Sequence, residues 1–299
     1  MHIAEGQLKH LLDPLLRKVF FDQYKRFPSL RSTLYGMETS TSWREREFSM
    51  GSLGKVPEFK GTLEYDTFEG LWAKDFVHVE YALGLSIQRK LIEDDQYRQI
   101  VKLPRMLATS MAYTQEEHAA SVFNNAFSTS YAGPDGAALC SASHPYSPTD
   151  ATTQDNADTA VLSQSALVAA RLAMQGWYDD RAKKIVTNPR WLLVPPALEE
   201  TAYIVTGTER VPVSQNWDKN IVNSWDFKII VWPFLTSSTA WFLIDPEIMR
   251  ENLLWFQRIG LESASQERFD TRSLDWRIYT RYSFGFYDWR WVYGSTGAG

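Results

Sequence analysis

The sequence predicts an α+β fold, laid out as a helix, a hairpin, a long helix, a mixed α/β region and a final β region. Three observations point to it. Apolar residues recur at helical spacing over 5–27 and again over 96–127, side chains alternate cleanly over 77–88 and again, less regularly, over 274–284, and no internal repeat or low-complexity linker interrupts the 299 residues. At about 150 residues per domain, that length suits two domains or one large one.

In the first segment, Leu8, Leu11, Leu12, Leu15 and Leu16 are followed by Val19, Phe20 and Tyr24, one apolar stripe of an amphipathic helix. Pro14 is expected to kink that helix or start a second one, and Pro28 closes it. After the polar stretch 29–42 come Gly51, Gly54 and Pro57, a turn-rich region, and then two strand patterns. In one, Phe59, Leu63 and Tyr65 alternate with Lys60, Thr62, Glu64 and Asp66. In the other, Val77, Val79, Tyr81, Leu83, Leu85 and Ile87 alternate with His78, Glu80, Ala82, Gly84, Ser86 and Gln88. The second pattern spans roughly 36 Å as a strand. A compact chain of this length is about 50 Å across. If 43–87 forms one hairpin, each arm extends ~70 Å, which predicts an arm projecting from the subunit.

Glu93, Asp94 and Asp95 precede the long helix expected over 96–127, where acidic groups favour the positive end of the helix dipole. Its apolar stripe is Ile100, Leu103, Leu107, Met111, His118 and Val122, with Lys102, Arg105 and Gln115 elsewhere around the wheel. A helix of that length is about 48 Å long, and Pro104 is expected to kink or restart it. Residues 128–160 are small and polar, a long loop with room for a short hairpin. A helix is expected over 164–175, a buried strand over 191–194 stopped by Pro195 and Pro196, a helix over 198–205, and strands over 227–232 and 239–244. In the closing stretch Leu274, Trp276, Ile278, Tyr282 and Phe284 alternate with Asp275, Arg277 and Arg281, and Gly285 is expected to break the strand before Phe286, Trp289 and Trp291.

Composition narrows the function. The chain is 44% hydrophobic and 22% charged, a globular balance rather than a disordered one. Its 31 Lys and Arg against 36 Asp and Glu give a net charge of −5, the wrong sign for a dedicated nucleic-acid or acidic-membrane binder. The lone Cys140 excludes an intrachain disulfide framework and a Cys-rich zinc site. The opening residues lack the apolar core of a signal peptide. The densest apolar run, 229–235, is interrupted by Pro233 and falls far short of the ~18 residues of a membrane span. A soluble protein made inside the cell is expected. The 12 Trp, 14 Tyr and 16 Phe stand out, and they suit a packed core, burial against a partner, or stacking on carbohydrate.

No chemistry-bearing motif is complete. Cys140 and His144 are the nucleophile–base pair closest in sequence, but they lie in a Gly/Ser/Pro-rich loop with no scaffold to hold a thiolate beside an imidazole. His118 follows Glu116 and Glu117 without a zinc-binding pattern and reads as a packed histidine. His78 faces the polar side of its strand with no second ligand nearby. Residues 51–55 lack the spacing and the Lys-Ser/Thr end of a phosphate loop. Glu93 to Asp95 read as helix-start acids, and Asp179–Asp180 as a solvated turn rather than a calcium loop. Arg290 and Trp291 suit stacking on a sugar, a base or a neighbouring protein. No catalytic, cofactor or metal site is expected.

Several phrases, in order, resemble tailed-phage major capsid proteins, specifically the Mu-like major head subunit family. They are Leu11 to Phe20 with Tyr24; Gly84 to Ile87 leading into Arg89 to Asp95; Ala119 to Phe127; Asp135–Gly136 and Leu139 through Ser143–His144–Pro145, with Cys140 at an otherwise apolar position; Pro189; Leu192 to Glu199; and Phe284–Gly285–Phe286 with Asp288–Trp289–Arg290. The resemblance implies the Hong Kong 97-like capsid fold. Its parts would be an N-terminal arm (1–42), an extended β-hairpin loop (43–88), a peripheral domain with the spine helix (89–140 and 255–299) and an axial α/β domain (141–254).

The function implied is that of a major capsid protein, not an enzyme, that self-assembles into hexamers and pentamers as an icosahedral shell around packaged double-stranded DNA. Portal and scaffolding proteins would be its partners, with no cofactor and no membrane. It would be assembled in the host bacterial cytoplasm and carried in the virion. Expected assembly contacts are Lys55, Phe59, Lys60, Tyr65, Trp72, Trp289, Arg290 and Trp291. With about forty residues before the hairpin, no long cleaved scaffolding segment is expected. Lys55 and Lys60 are placed for the hairpin-lysine crosslink of some relatives, but no Asn follows Asn252, so no such crosslink is expected. The rival readings are a nanocompartment shell of the same fold, a Cys/His hydrolase built on Cys140 and His144, and a Trp-rich carbohydrate-binding module.

Overall fold

In the computed structural model of the chain, residues 7–61, 63, 65–67, 70–94, 96–211, 218–268 and 270–299 are described. The first half contains α1 (Gln7–Arg26), α2 (Arg31–Leu34), β1 (Gly36–Thr39), β2 (Arg44–Met50), β3 (Gly70–Val77), β4 (Val79–Gln88), α3 (Arg89–Glu93), α4 (Tyr97–Asn124) and the short strands β5 (His144–Pro145), β6 (Thr153–Gln154) and β7 (Ala157–Asp158). The second half contains α5 (Gln164–Gln175), β8 (Trp191–Val194), α6 (Glu199–Gly207), β9 (Lys228–Val231), β10 (Trp241–Ile244), α7 (Pro246–Asn252), β11 (Leu253–Arg268), β12 (Ser273–Phe286) and β13 (Val292–Ser295).

Two sheets organise the core. The first runs β1-β11-β12-β4, with the long antiparallel hairpin β11/β12 at its centre and β1 parallel to β11. Helices α1 and α4 pack together beside it. Leu12, Leu16 and Phe20 of α1 are buried, and the Phe20 ring meets Trp276 of β12 edge-on at 5.3 Å. The second sheet runs β7-β13-β10-β8-β9, and the β10 residues Trp241, Phe242, Leu243 and Ile244 are all buried. Seven of the twelve Trp (177, 232, 241, 255, 276, 289 and 291) are buried, so core packing accounts for most of the unusual Trp content.

Several elements differ from expectation. Pro14 and Pro104 each lie inside one continuous helix, because only one hydrogen bond is lost at each and both helices are held by packing. Leu15, counted in the α1 stripe, is 40% exposed, and the side chains of Leu8 and Leu11 lie outside the description. Helix α4 is 28 residues long, about 42 Å. Glu93 closes the short α3 rather than opening α4, the Asp94 N–H bonds back to the Lys90 carbonyl, and Asp95 lies outside the described residues. Gln115, placed off the apolar stripe in the sequence, is buried on α4 together with Glu116, and Gln115 accepts from the Tyr24 hydroxyl.

The largest difference concerns the hairpin. The alternating segment 79–88 is not one of its arms. As β4 it pairs along β12 from Val79↔Tyr282 to Gln88↔Ser273 and forms an edge of the first sheet, with Ile87 buried. The hairpin is instead β2 with β3, in register from Arg44↔Val77 to Met50↔Gly70. No strand forms over Phe59–Asp66 among the described residues; Thr62 and Glu64 lie outside the description. Gly285 does not break β12. It pairs with Leu254 at φ 153°, and a Cβ there would lie 3.2 Å from the Phe76 ring, so its bare backbone lets β3 approach. Finally β13, read with the 255–299 part, pairs in the second sheet with β10 and β7.

Candidate functional site

Several large apolar side chains are uncovered in the segment 51–67 between β2 and β3. Val56 is 96% exposed, Tyr65 89%, Phe59 71% and Leu63 63%, and Trp43 and Phe48 on the hairpin stem are also exposed. Exposed large apolar groups gathered in one segment mark an interaction surface more often than chance. Lys55 and Lys60 are exposed in the same segment, and Trp72 on β3 is half-buried beside Asp135, Tyr287 and Trp289.

Phe76, Lys74 and His78 are among the residues that join the stem to the body. Phe76 is buried against Phe256, with ring centroids 5.2 Å apart, and near Leu254. Lys74 lies 5.0 Å over the Phe286 ring, and burial lowers its ammonium pKa. Between β3 and β4, His78 is buried with Nε2 2.9 Å from Ser40 Oγ and Nδ1 2.9 Å from Ser283 Oγ. The Ser40 hydroxyl lies 2.5 Å from Glu45 on β2. Sequence alternation had put His78 on a polar face; instead it is the joint at which the chain leaves the hairpin and enters the sheet. Burial holds its pKa below the ordinary histidine value, and Arg281 adds to that.

Three expected contact residues are placed differently. Trp289 (2% exposed), Arg290 and Trp291 are buried inside the subunit. Trp289 meets the Trp177 ring at 5.0 Å, the Arg290 guanidinium holds Asp288 at 2.8 Å, and the Trp291 indole N–H donates to the Asp288 carbonyl at 2.7 Å. Their large apolar area is covered by the chain itself, which removes them as outward contacts. Aromatic clustering in sequence carries no sign of which side is covered.

Cys140 and His144 do not form a catalytic pair. Cys140 is buried beneath Gly294, where a Cβ would lie 2.5 Å from Sγ, and burial pushes its thiol far above the thiolate range. His144 is engaged elsewhere, with Nδ1 2.6 Å from Asp135 and Nε2 3.1 Å from Asn156 Oδ1. His118 stacks on Phe284, and its Nδ1 meets the Tyr282 hydroxyl at 2.8 Å. Among the described residues no cluster of His, Cys, Asp and Glu is placed to hold a metal ion, and no helix is long and apolar enough to cross a membrane.

A family model described as phage capsid protein matches residues 74–295. The chain belongs to the phage capsid protein family. Solved structures agree on the fold. The chain is similar to the procapsid protein of bacteriophage JBD30, with a TM-score of 0.57 at 14% identity over 98% of this chain and 76% of that one. It is similar to the capsid protein of cyanophage P-SCSP1u, at 0.56 and 10% over 89% and 87%. It is also similar to the virus-like particle protein of Pyrococcus furiosus, at 0.56 and 8% over 94% and 97%. No curated protein matches. The fold is therefore the Hong Kong 97-like capsid fold, and the chain is a major capsid protein that self-assembles into the shell of the virion. Family and fold point to a structural protein, and the phage capsid match favours the phage shell over a nanocompartment.

Proposed function

We propose that copies of this capsid protein associate as hexamers and pentamers, closing an icosahedral shell around packaged double-stranded DNA. The shell works by burial of area and interlocking alone, without enzymatic activity. In this reading the hairpin 44–77 overlaps a neighbouring copy, and Lys55, Phe59, Lys60, Tyr65 and Trp72 lie at that contact. The first sheet with α1 and α4 is the peripheral part, and the second sheet, including β13, is the axial part at the capsomer centre. Portal and scaffolding proteins are its partners during assembly in the host cytoplasm, and the Mu-like branch is its place in the family.

The observation that carries the proposal is the apolar loop: Val56, Phe59, Leu63 and Tyr65 stay in water in the lone subunit, whereas permanent interfaces bury roughly 2,000–5,000 Å². The net charge of −5 suits DNA enclosed without sequence-specific grip, since tight phosphate binding needs a surplus of cations. Negative-stain micrographs of the expressed protein test the proposal. Closed particles of uniform size are expected, holding nuclease-protected DNA when made with the packaging machinery. Only small discrete subunits at high concentration would overturn it, and particles filled with a cargo enzyme would favour the nanocompartment.

A further inference from the structure

The loop between β2 and β3 is tied to a turn of its own subunit. The turn 179–183, between α5 and β8, is closed by Asp179, whose Oδ1 accepts the N–H groups of Arg181 at 2.9 Å and Lys183 at 2.7 Å. Ala182 completes it with φ 54°, a left-handed conformation that a non-glycine residue adopts only when its surroundings demand it. So closed, the turn directs three charged side chains at the loop. Asp180 accepts the Ser52 N–H at 2.9 Å. Arg181 donates to Asp66 at 2.7 Å and to the Thr67 carbonyl at 2.5 Å. The Lys183 ammonium donates to the Leu53 carbonyl. Asp66 also accepts the Gly54 N–H at 2.6 Å, which joins the two legs of the loop to each other.

Every one of these bonds uses a backbone or charged group. The apolar side chains between the legs take no part in them and stay exposed. We infer that the turn 179–183 is a bracket that sets the pose of the loop, gripping both legs so that Val56, Phe59, Leu63 and Tyr65 face away from their own subunit toward a second copy. This deepens the shell reading and rests on it. A loop of this length with both legs free would lose its conformational freedom at the moment of association, weakening the contact. Holding the legs in advance removes part of that cost. Exposed ion pairs are individually weak and salt-sensitive, so the grip is reversible.

The test is a charge swap read in two ways, with Arg181→Asp, Asp66→Arg and the double variant compared in the full chain. Chymotryptic cleavage within 51–67 of the unassembled subunit reports release of the loop, because its Phe, Leu and Tyr sites are untouched by the swap. Light scattering reports shell formation, and circular dichroism confirms that each variant is folded. Each single variant should be cleaved about 5-fold faster and assemble more slowly, as should the wild type in about 0.5 M salt. The double variant should recover both properties.

Unchanged cleavage in the single variants would show that the bracket is not formed. Faster cleavage with unchanged assembly would show that it does not present the loop. A double variant no better than the singles would show that this pair is not responsible. A wild-type chain forming no particles would remove the shell reading itself, while the cleavage comparison would still decide whether the bracket exists.

Discussion

Trp289 lies flat against His144, ring centroids 4.2 Å apart and planes 16° apart, inside the subunit. The histidine ring is held on its other sides by Asp135 and Asn156, and Asn156 in turn donates to the carbonyls of Leu139 and Val292. This polar cluster ties the loop after α4 to the closing strand β13, and Trp289 covers it. Trp289→Ala is expected to lower the stability of the isolated subunit by about 3–5 kcal/mol, the usual cost of emptying a buried aromatic site. Denaturant unfolding of unassembled protein measures it. A subunit of undiminished stability that fails only in assembly would return Trp289 to the surface.

Glu116 anchors the N-terminal segment to the long helix. Its buried carboxylate accepts the Leu30 N–H at 3.2 Å, the Arg31 N–H at 3.4 Å and the Ser29 hydroxyl. Glu116→Ala strands these donors, at about 1–3 kcal/mol. We expect a lower melting temperature and faster proteolysis near residues 27–31, with Glu116→Gln intermediate. Equal protection of 27–31 in all three proteins would contradict the anchoring role.

His78 makes the hairpin joint sensitive to acid. Its folded pKa is held below the ordinary value by burial first and by Arg281 second, so the folded state favours the neutral ring. Its contribution to stability is therefore full above the ordinary pKa of about 6.5 and is lost as the pH falls through the lowered folded value. His118, lowered chiefly by burial, acts in the same direction. Melting temperature should fall as pH drops from 7 toward 5, and His78→Asn should flatten part of that slope. An identical slope in the variant would show that the joint does not titrate in this range.

Replacing 51–69 by a short turn should leave a folded, soluble subunit that no longer closes shells. The β2/β3 register and the Phe76 anchor lie outside the deletion. Normal particles from this variant would remove the loop from the assembly contact.

Much of the fold is legible where burial is periodic and local. Helix α5 and strand β8 match their expected bounds to the residue, since each buries a clear apolar pattern between strong stop signals. Strand β11 left no such signal. Beyond Phe256 its side chains are mostly small or polar (Glu262, Ser263, Ala264, Ser265, Gln266), half in water along a strand whose pairing with β1 has already ended at Gln257. The strand 79–88 was visible, but its partner was not, because period-two alternation specifies a face and not a neighbour nearly two hundred residues away. The candidate site shows the same division. The alternation of Phe59, Leu63 and Tyr65 is visible in the sequence, and among the described residues no strand pairs with it, whereas the bracket at Asp180, Arg181 and Lys183 depends on tertiary placement that no local pattern encodes.

Amide hydrogen exchange over 51–67, compared between the unassembled subunit and the closed particle, reports whether other copies cover this loop. If the apolar side of this loop is completed only by other copies, its amides other than the bracketed Ser52 and Gly54 should exchange quickly in the subunit and slow by at least about 10-fold in the particle. Equal exchange in the two states would mean that assembly leaves the loop in water and that the shell closes without it.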